Sequence, residues 1–509
     1  MKYWQAILFF LFGIAFANNL NIPWKACPNY KTYSGRRHYP ATGPLRLPFQ
    51  RPATSCRTFH SKSVEQTIED VKEQLEDEDL ARLFENCMPN TLDTTIRWHA
   101  ADSHNPQTLV ITGDIPAEWI RDSANQLLPY LPLAKSDSPL ATLILGAIQT
   151  QAEMLIQFPY CNAFQPPKQS FLSGNDNGQS DRVTPAYDPA VVFECKYELD
   201  SLASFLKLSY TYWLYTKDQS IFTVKWLAAV ERIIQVLEEQ SSPSFDEKTG
   251  LPKDPVYTFL RNTDSGTETL GLAGRGFPLN ANASLIRSAF RPSDDACVLQ
   301  YFIPANAMMV VELSHLNQML QASGHADIAR TALVWANKIQ KGIDQHGIVD
   351  HPKFGKVYAY EVDGYGSILF MDDANVPSLL SLPYLGFVER DDPVYVNTRK
   401  MILSSEGNPY YLKGKVISGI GGPHIGLRNV WPMSLIVQAL TSDDDDEIMS
   451  LLDVLKHSTA GLGLMHESVD VSSFKSFTRP WFSWANSLFA ELILDLLERK
   501  PHLLKKNAS

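Results

Sequence analysis

Positive charge is scarce in this sequence. Its 45 Lys and Arg residues face 56 Asp and Glu residues, which gives a formal net charge of −11 and an isoelectric point near 5.6. No basic stripe interrupts that excess, and a field of this sign repels nucleic-acid phosphates and anionic lipid. Nucleic acid is therefore not an expected partner, whereas a neutral polyol would be insensitive to the field.

Metal-binding spacings are missing as well. The cysteines form no CxxC pattern and no Cys/His ligand spacing, so the sequence predicts no metal site and no cofactor. Their even number permits up to three disulfides of undetermined pairing, although some thiols of a chain this long can simply be buried. The six are Cys27, Cys56, Cys87, Cys161, Cys195 and Cys297.

Hydrophobic runs are short. An apolar run from Ala6 to Ala17 follows Lys2 and ends in a small-x-small cleavage pattern, which predicts a secretory signal peptide over residues 1–17. Because a spanning helix needs about 20 apolar residues, a cleaved signal is favoured over a retained anchor, and no later run of that length predicts membrane insertion. We expect a secreted protein, with Golgi or cell-wall retention as the alternative. Glycosylation sequons at Asn282 and Asn507 fit that route.

Strong β alternation is nearly absent, and helical periodicity dominates. Residues 18–60 are predicted to form an irregular arm, and residues 61–509 one domain. Helices in successive pairs with long connections between them predict a mainly α fold, a six-hairpin toroid or (α/α)6 barrel. Helices are predicted at 63–86, with Ser63 and Gln66 as a capping box, and at 119–133, 138–157, 195–217, 220–239, 304–323, 326–344, 376–386, 393–404, 430–441, 444–457 and 483–498. The long connections, 159–194, 240–303, 405–429 and 458–482, are where a site would be assembled.

Two acidic segments in those connections suggest a chemistry. The string FRPSDDA holds Asp294 and Asp295, and the string MHES holds Glu467. Two carboxyl groups on opposite sides of a bond can cleave an acetal, one by protonating the leaving oxygen and the other by deprotonating water. The alternative is structural, with the Asp pair capping a helix and Glu467 pairing with a neighbouring His or Arg.

Two further strings contain residues suited to the same site. The segment ITGDIPAEWIRDS carries Trp119, Arg121 and Asp122, whose polar groups could hold vicinal hydroxyls or form a buried ion pair. The segment FMDDANVPS carries Asp372 and Asp373, which compete with Glu467 for the role of catalytic base.

Two more strings carry a histidine and two tryptophans. The Gly-rich segment GIGGPHIG lacks the Lys-Ser/Thr ending of a phosphate loop, and its His424 could donate to a hydroxyl. The segment TRPWFSWAN places Trp481 and Trp484 near the expected mouth of the barrel, although Trp484 could equally be a core residue.

Taken together, the strings GDIPAEWIRDS, FRPSDDA, MDDANVPSLL, GGPHIG and HES followed by WFSWANS resemble glycoside hydrolase family 125. Fungal members of this family have also been described as meiotically up-regulated proteins. The similarity covers roughly residues 63–498, with the motifs in family order. It implies an (α/α)6 barrel, an inverting mechanism and exo-acting hydrolysis of α-1,6-linked mannose at a non-reducing end.

The resemblance also implies roles for individual residues. It maps the general acid to the Asp pair and the general base to Glu467, and we favour Asp294 over Asp295 as the acid. Because neighbouring side chains diverge, only one can face the scissile oxygen, while the other can raise the proton affinity of the acid as a nearby like charge. Substrate-binding roles are expected for Trp119, Arg121, Asp122, Asp295, Asp373, His424 and Trp481, the last as a stacking face.

Other interpretations stay open at the level of sequence. One is an (α/α)-barrel hydrolase of another α-linked sugar, such as a glucoamylase-like glucosidase or a calcium-dependent α-1,2-mannosidase. Another is a non-catalytic carbohydrate-binding homologue, against which the presence of carboxylates at both the acid and the base positions argues. Nothing in the residue chemistry itself separates mannose from glucose.

Overall fold

The computed structural model describes residues 27–102 and 104–506. The predicted signal peptide, the first residues of the predicted arm and the sequon at Asn507 lie outside this part of the chain. The side chain of Asn282 is likewise outside it.

Twelve α-helices of eight or more residues make up most of the regular structure between residues 27 and 506. They are Lys62–Gln74, Glu78–Cys87, Ile120–Leu127, Ser138–Gln157, Leu199–Thr216, Val224–Gln240, Ile303–Ala322, Ala326–Gly342, Pro393–Ile402, Pro432–Leu440, Asp445–His457 and Ser483–Arg499. Shorter helical turns lie at Tyr30–Tyr33, Asn90–Thr94, Leu131–Ala134 and Gly271–Gly274. The mainly helical fold is confirmed.

An inner ring of helices forms the centre of the toroid. Pro432–Leu440 contacts Ser483–Arg499, which in turn contacts Ile120–Leu127. The ring continues from there through Leu199–Thr216 to Ile303–Ala322. The helices outside this ring, such as Ala326–Gly342, bury a single face through Ala329, Ala332, Ala336 and Ile339, spaced at three to four residues as an amphipathic helix requires.

The sixth inner position is not helical, so the predicted helix at 376–386 is wrong. Turns occupy this segment, in which Pro377 and Pro383 have no N–H to donate to a helical ladder. The Asp372 carboxylate instead accepts hydrogen bonds from the backbone N–H groups of Leu379 and Leu380, at 2.8 and 3.0 Å.

A tyrosine of this turn segment joins two inner helices. The Tyr384 hydroxyl donates to Glu491 at 3.0 Å and lies 3.5 Å from the Lys207 ammonium. These partners belong to Ser483–Arg499 and Leu199–Thr216 respectively. The turn segment therefore packs inside the barrel although it is not a helix.

The predicted helix at 63–86 is in fact two helices. The first ends at Gln74, and the Asp77 carboxylate caps the second by accepting from the N–H groups of Asp79 and Leu80. The predicted capping box at Ser63 is also wrong, because Ser61 is the N-cap and accepts from Val64 N–H. Asp137 accepts from the hydroxyls of both Ser61 and Ser63, which holds this helix start against the next hairpin.

Among the residues that the structure describes, one helix, Ser138–Gln157, is long and apolar enough to cross a membrane by length and composition. The sequence predicts this helix, but not as a membrane span. It passes this test as a core helix does, since 67% of the relevant window is buried inside the protein.

Strands between residues 27 and 506 are short and form eight small antiparallel sheets in the connections. The sheets pair Ala41–Thr42 with Leu47–Pro48; Ile96–Ala100 with Gln107–Val110; Glu118–Trp119 with Ala163–Phe164 and Val192–Glu194; Arg182–Thr184 with Thr258–Leu260; Tyr301–Phe302 with Glu361–Val362 and Ile368–Leu369; Ile348–His351 with Gly355–Tyr358; Tyr411–Leu412 with Gly419–Ile420; and Asn429–Val430 with Ser468–Asp470 and Ser473–Thr478.

Two disulfides and two buried thiols account for the cysteines. Cys27 pairs with Cys56 within the N-terminal arm, and Cys161 pairs with Cys195 beside the sheet that contains Glu118–Trp119. Cys87 and Cys297 are free and buried.

A buried ion pair ties the arm to the barrel. The Arg51 Nε donates to Asp93 Oδ2 at 2.7 Å, and the side chains are only 5% and 3% exposed. Arg51 also makes a bidentate contact with Glu65 on the first long helix. The arm is therefore anchored by a charge that is removed from water.

We predict that Asp93→Asn lowers the free energy of unfolding by about 3 kcal/mol, because it leaves the Arg51 guanidinium short of a buried counter-charge. Urea unfolding followed by tryptophan fluorescence measures this. The control is Lys225→Met, which removes the half-exposed pair of Lys225 with Glu153 and should change stability by less than about 1 kcal/mol. Equal effects of the two variants would contradict an anchoring role for the Arg51–Asp93 pair.

Candidate active site

A cavity of about 420 Å³ lies among the long connections, within the range typical of small-molecule sites. Its wall is built from several parts of the chain that are far apart in sequence. The residues include Trp119, Arg121, Asp122, Phe193, Lys196, Ser293, Asp294, Asn375, His424, Trp431, Glu467, Arg479, Phe482 and Trp484. Asp294 and Glu467, the predicted acid and base, thus share one cavity.

The segment with Trp119 enters the cavity wall where a strand becomes a helix. The strand Glu118–Trp119 pairs with Ala163–Phe164, and the helix Ile120–Leu127 follows at once. Arg121 and Asp122 therefore lie in the first turn of an inner helix, and Trp119 packs edge-on against Phe193 with ring centroids 5.5 Å apart.

The buried guanidinium of Arg121 contacts four carboxyl groups. It lies 2.5 Å from Glu198, 3.2 Å from Asp122, 3.4 Å from Asp200 and 3.7 Å from Asp294. Burial raises the pKa of Asp122 to about 6, against the opposing charge of Arg121. One cation among four carboxyl groups favours retention of a proton within the cluster.

A tight turn separates the side chains of the two adjacent aspartates. Asp294 has φ 65°, in the left-handed region, and the Arg291 N–H donates to the Asp295 carbonyl at 2.8 Å across the turn. Asp tolerates this conformation better than most residues. The Asp294 side chain is 24% exposed and lines the cavity, whereas that of Asp295 is 1% exposed. Only Asp294 is placed to reach a substrate.

Asp295 acts on the cavity through a histidine. Its carboxylate lies 3.6 Å from the Nδ1 of His424, which does line the cavity. Burial would lower the pKa of His424, but the hydrogen bond and charge of Asp295, with smaller contributions from Asp294 and Glu467, raise it to about 9. His424 is therefore a cation at neutral pH.

Asp294 and Glu198 form a carboxyl pair with shared neighbours. The Asn162 amide donates to Glu198 at 3.1 Å and to Asp294 at 3.2 Å, and Arg121 contacts both. Burial raises the pKa of Glu198, and the charge of Asp294 raises it further against the opposing effect of Arg121. Burial acts in the same direction on Asp294, but Lys196 and Arg121 outweigh it and lower the pKa of Asp294. The two carboxyl groups therefore differ in proton affinity, with that of Glu198 raised and that of Asp294 lowered.

Glu467 is held by an arginine from the neighbouring strand connection. The Arg479 Nε lies 3.4 Å from Glu467 and 3.6 Å from Asp114, so one guanidinium spans two carboxylates. The preceding His466 is fully buried, stacks on Phe477 and has its pKa lowered by burial to about 4. His466 is therefore neutral and packs against Phe477. Glu467, the next residue, faces the cavity.

Three predicted substrate-binding residues are not in the cavity wall. Asp295 lies behind it, as does Asp373, which accepts from the Ser293 hydroxyl at 2.8 Å. Trp481 is 3% exposed and lies edge-on to Tyr30 of the arm at 4.9 Å, lining a separate pocket. Trp481 therefore does not offer the predicted stacking face to the cavity, because its ring is packed between the arm and Gly113.

The position of Asp372 does not suit the role of base. Its carboxylate is fully buried and is used to cap the turn segment at Leu379 and Leu380. Burial raises its pKa to about 8, so it is a neutral structural group.

Several wall residues escaped the sequence analysis. Trp431 and Phe482 supply aromatic faces, and Trp484, left open as a core residue, both lines the cavity and lies under the Arg121 guanidinium at 5.7 Å. Lys196, whose ammonium donates to the Asp294 carbonyl at 2.9 Å, carried no motif signal. Asn162 could have been suspected only from its place in a long connection, and Glu198, the residue just before the helix Leu199–Thr216, carried no motif signal either.

The charges that line the cavity nearly balance. Cationic groups of Arg121, Lys196, Arg261, Arg479 and His424 face the carboxyl groups of Asp122, Glu194, Glu268, Asp294 and Glu467. A balanced wall with aromatic faces suits a neutral, hydroxyl-rich ligand. Within residues 27–102 and 104–506, no group of three or more His, Cys, Asp or Glu is arranged to hold a metal ion.

Comparisons with known proteins fit this site. Residues 77–494 match the family model of the metal-independent α-mannosidases, GH125. A Streptococcus pneumoniae metal-independent α-mannosidase, solved as a non-productive complex with α-1,6-mannobiose, is 36% identical over 87% of this chain and all of that chain, with a TM-score of 0.79. A bacterial glucoamylase complexed with acarbose shares the fold, with 12% identity over 86% of this chain and 57% of that chain and a TM-score of 0.50.

These matches confirm the (α/α)6 barrel and decide among the alternatives left open by the sequence. A glucosidase and a calcium-dependent mannosidase do not fit the family description. The chain belongs to glycoside hydrolase family 125, the metal-independent α-mannosidases.

Proposed function

We propose that this enzyme removes α-1,6-linked mannose from non-reducing ends of a glycan with inversion of configuration. The observation that carries the proposal is that Asp294 and Glu467, remote in sequence, line one cavity. The linkage is supported by the α-1,6-mannobiose found with the Streptococcus pneumoniae relative.

Asp294 is assigned as general acid and Glu467 as general base. Asp294 protonates the glycosidic oxygen while Glu467 deprotonates a water that attacks the anomeric carbon from the other face. Inversion requires space for that water, so the two carboxyl groups should lie about 6.5 to 9.5 Å apart in the substrate complex. Arg121, Asp122 and His424, which line the cavity, are assigned to hold the hydroxyls of the terminal sugar.

Glu198 is assigned as a positioning residue that supplies the acid with its proton. A substrate that enters the cavity removes water from Asp294 and thereby favours its neutral form. A proton held on Glu198 then transfers to Asp294, its neighbour around the Asn162 amide, and the two carboxyl groups still carry one proton together. Arg121 and Asn162 contact both carboxyl groups and hold them next to each other during this transfer.

A location in the secretory pathway is part of the same proposal. Stable disulfides form mainly in oxidising compartments, and Cys27–Cys56 and Cys161–Cys195 have the proximity that such bonds need. The short apolar run at the N-terminus supports the same route.

We expect α-1,6-mannobiose to be hydrolysed and α-1,2-mannobiose to be a poor substrate, and we expect mannose to be released first as the β-anomer. Proton NMR during the first minutes of reaction reports linkage and anomer together. Release of α-mannose would refute inversion, and preferential cleavage of the α-1,2 linkage would refute the assigned specificity.

We predict that Asp294→Asn and Glu467→Gln each reduce turnover of α-1,6-mannobiose by about 10²- to 10⁴-fold, because each removes one proton-transfer group. A 2,4-dinitrophenyl α-mannoside needs no protonation of its leaving group, so it should restore most of the activity of Asp294→Asn but not of Glu467→Gln. Steady-state kinetics on both substrates checks this.

The matched control for the acid is Asp295→Asn. Because Asp295 acts through His424, this variant should lose activity on both substrates by a similar factor. If Asp295→Asn, and not Asp294→Asn, were rescued by the activated leaving group, the assignment of the two aspartates would have to be exchanged.

We predict that Glu198→Gln moves the alkaline limb of the kcat/KM profile to lower pH by about one unit or more. The acid works only when protonated, so activity falls as pH rises through the pKa of the pair. Without the Glu198 charge, Arg121 and Lys196 ionise Asp294 at lower pH. The control Asp200→Asn, which contacts Arg121 at 3.4 Å, should shift the limb less. An alkaline limb unchanged in Glu198→Gln would rule out proton sharing.

A further inference from the structure

A second cavity, of about 250 Å³, lies apart from the mannoside site and shares no lining residue with it. Its wall is formed by two loops, 242–256 and 272–278, together with Glu239 and Arg287. Many of the loop residues are apolar, among them Pro243, Phe245, Val256 and Leu272. The mechanism proposed above makes no use of this cavity.

Arg287 is the unusual member of the wall. It is 8% exposed, its Nε is buried without a hydrogen-bond partner, and no carboxylate of the described residues forms an ion pair with its guanidinium. Burial lowers its pKa, and the only groups that offset this are the hydroxyls of Tyr301, Tyr197 and Tyr160. A buried cation without a counter-ion is costly, so the site is incomplete as it stands.

The other buried arginines of the described chain differ from Arg287 in this respect. Each has a carboxylate within ion-pair distance. The pairs are Arg51 with Asp93, Arg82 with Glu85, Arg121 with Glu198, Arg261 with Asp181 and Arg291 with Glu361. Among the buried arginines between residues 27 and 506, Arg287 is therefore the one without a carboxylate partner.

The carboxylate of the wall residue Glu239 is already engaged by other groups. Glu239 accepts from the Tyr160 hydroxyl and from the Gln235 amide, which uses both of its oxygens. Close to the cavity, the side-chain amide of Gln300 is buried without a partner against Gly276, and the Tyr197 hydroxyl is also unpartnered. Unpartnered polar groups thus lie behind the wall of the cavity, next to its lining residue Gly276 in the case of Gln300.

Charge and shape restrict the ligand. One unpaired guanidinium matches a single negative charge, and its planar fork fits a carboxylate in bidentate fashion. A dianionic phosphate is matched less well, because Arg275 already pairs with Asp254 at 3.1 Å on the rim and the remaining cationic wall residue, Lys253, is exposed to solvent. The apolar wall and the small volume favour a compact hydrocarbon body.

We propose that this cavity is a binding site for a small organic monocarboxylate, whose carboxylate pairs with Arg287 and whose apolar body packs between the two loops.

Benzoate is a suitable probe, and benzyl alcohol is its neutral counterpart. Titration calorimetry on the full-length enzyme should give saturable 1:1 binding of benzoate and no measurable binding of benzyl alcohol. A crystal soaked with benzoate should place the carboxylate within hydrogen-bond distance of Arg287. Absence of saturable benzoate binding to the wild type would overturn the proposal.

Arg287→Met should weaken benzoate binding by about 30-fold or more, because it removes the buried charge partner. Its Tm without ligand should be equal to or above that of the wild type, since the variant also removes an uncompensated charge. If it does not fold, Arg287→Lys keeps the charge but not the fork and should weaken binding by about tenfold.

The matched control is Arg275→Met, at the rim of the same cavity, where the side chain is 52% exposed and already paired. It should retain benzoate affinity within about threefold. Wild-type affinity in the Arg287 variants, or equal losses in the Arg275 and Arg287 variants, would overturn the assignment. Mannosidase activity is measured separately and does not enter this test.

Discussion

The balance of charge around the buried Arg121 guanidinium is the constraint on which the active site depends. Four carboxyl groups, from Asp122, Glu198, Asp200 and Asp294, lie within 4 Å of one cation. In a buried setting this excess cannot ionise fully, so at least one proton stays in the cluster. The same guanidinium joins the starts of two inner helices, Ile120–Leu127 and Leu199–Thr216, and so links the barrel geometry to the charge around Asp294.

The non-helical segment at the sixth position of the inner ring helps to position the active-site loops. A regular helix would bury its polar backbone within its own ladder, whereas the turn segment leaves Asp372 to cap the backbone and Asp373 to reach Ser293. Gly422 makes this approach possible, since a Cβ there would lie 3.1 Å from the Asp373 carboxylate. The turn segment thus supports the Asp294 loop from behind, and Asn375 of the same segment reaches the cavity wall.

Much of the architecture could be predicted from the sequence, because helical periodicity and long connections are local signals. Boundaries failed where side chains outside the helix decide them, as when Asp77 splits one predicted helix into two and Pro377 and Pro383 prevent another. The segments that bring Asp294 and Glu467 to one cavity could be recognised because they form motifs. Glu198 and Lys196 could not, because their importance comes from partners that are distant in sequence, and Trp481 was misplaced because its packing depends on the arm residue Tyr30.

The left-handed backbone at Asp294 explains how two adjacent carboxylates acquire different tasks. A non-glycine residue in this region carries a penalty of about 1 to 2 kcal/mol, so the turn must be held by its surroundings. The Arg291 guanidinium, at the start of the turn, donates to the buried Glu361 at 2.6 Å, and Glu361 in turn accepts from the N–H groups of Val298 and Leu299 just beyond it. Both ends of the turn are therefore fixed by one carboxylate. With the ends fixed, the backbone directs Asp294 into the cavity and Asp295 towards His424, so that one aspartate lines the cavity while its neighbour supports the charge of the histidine beside it.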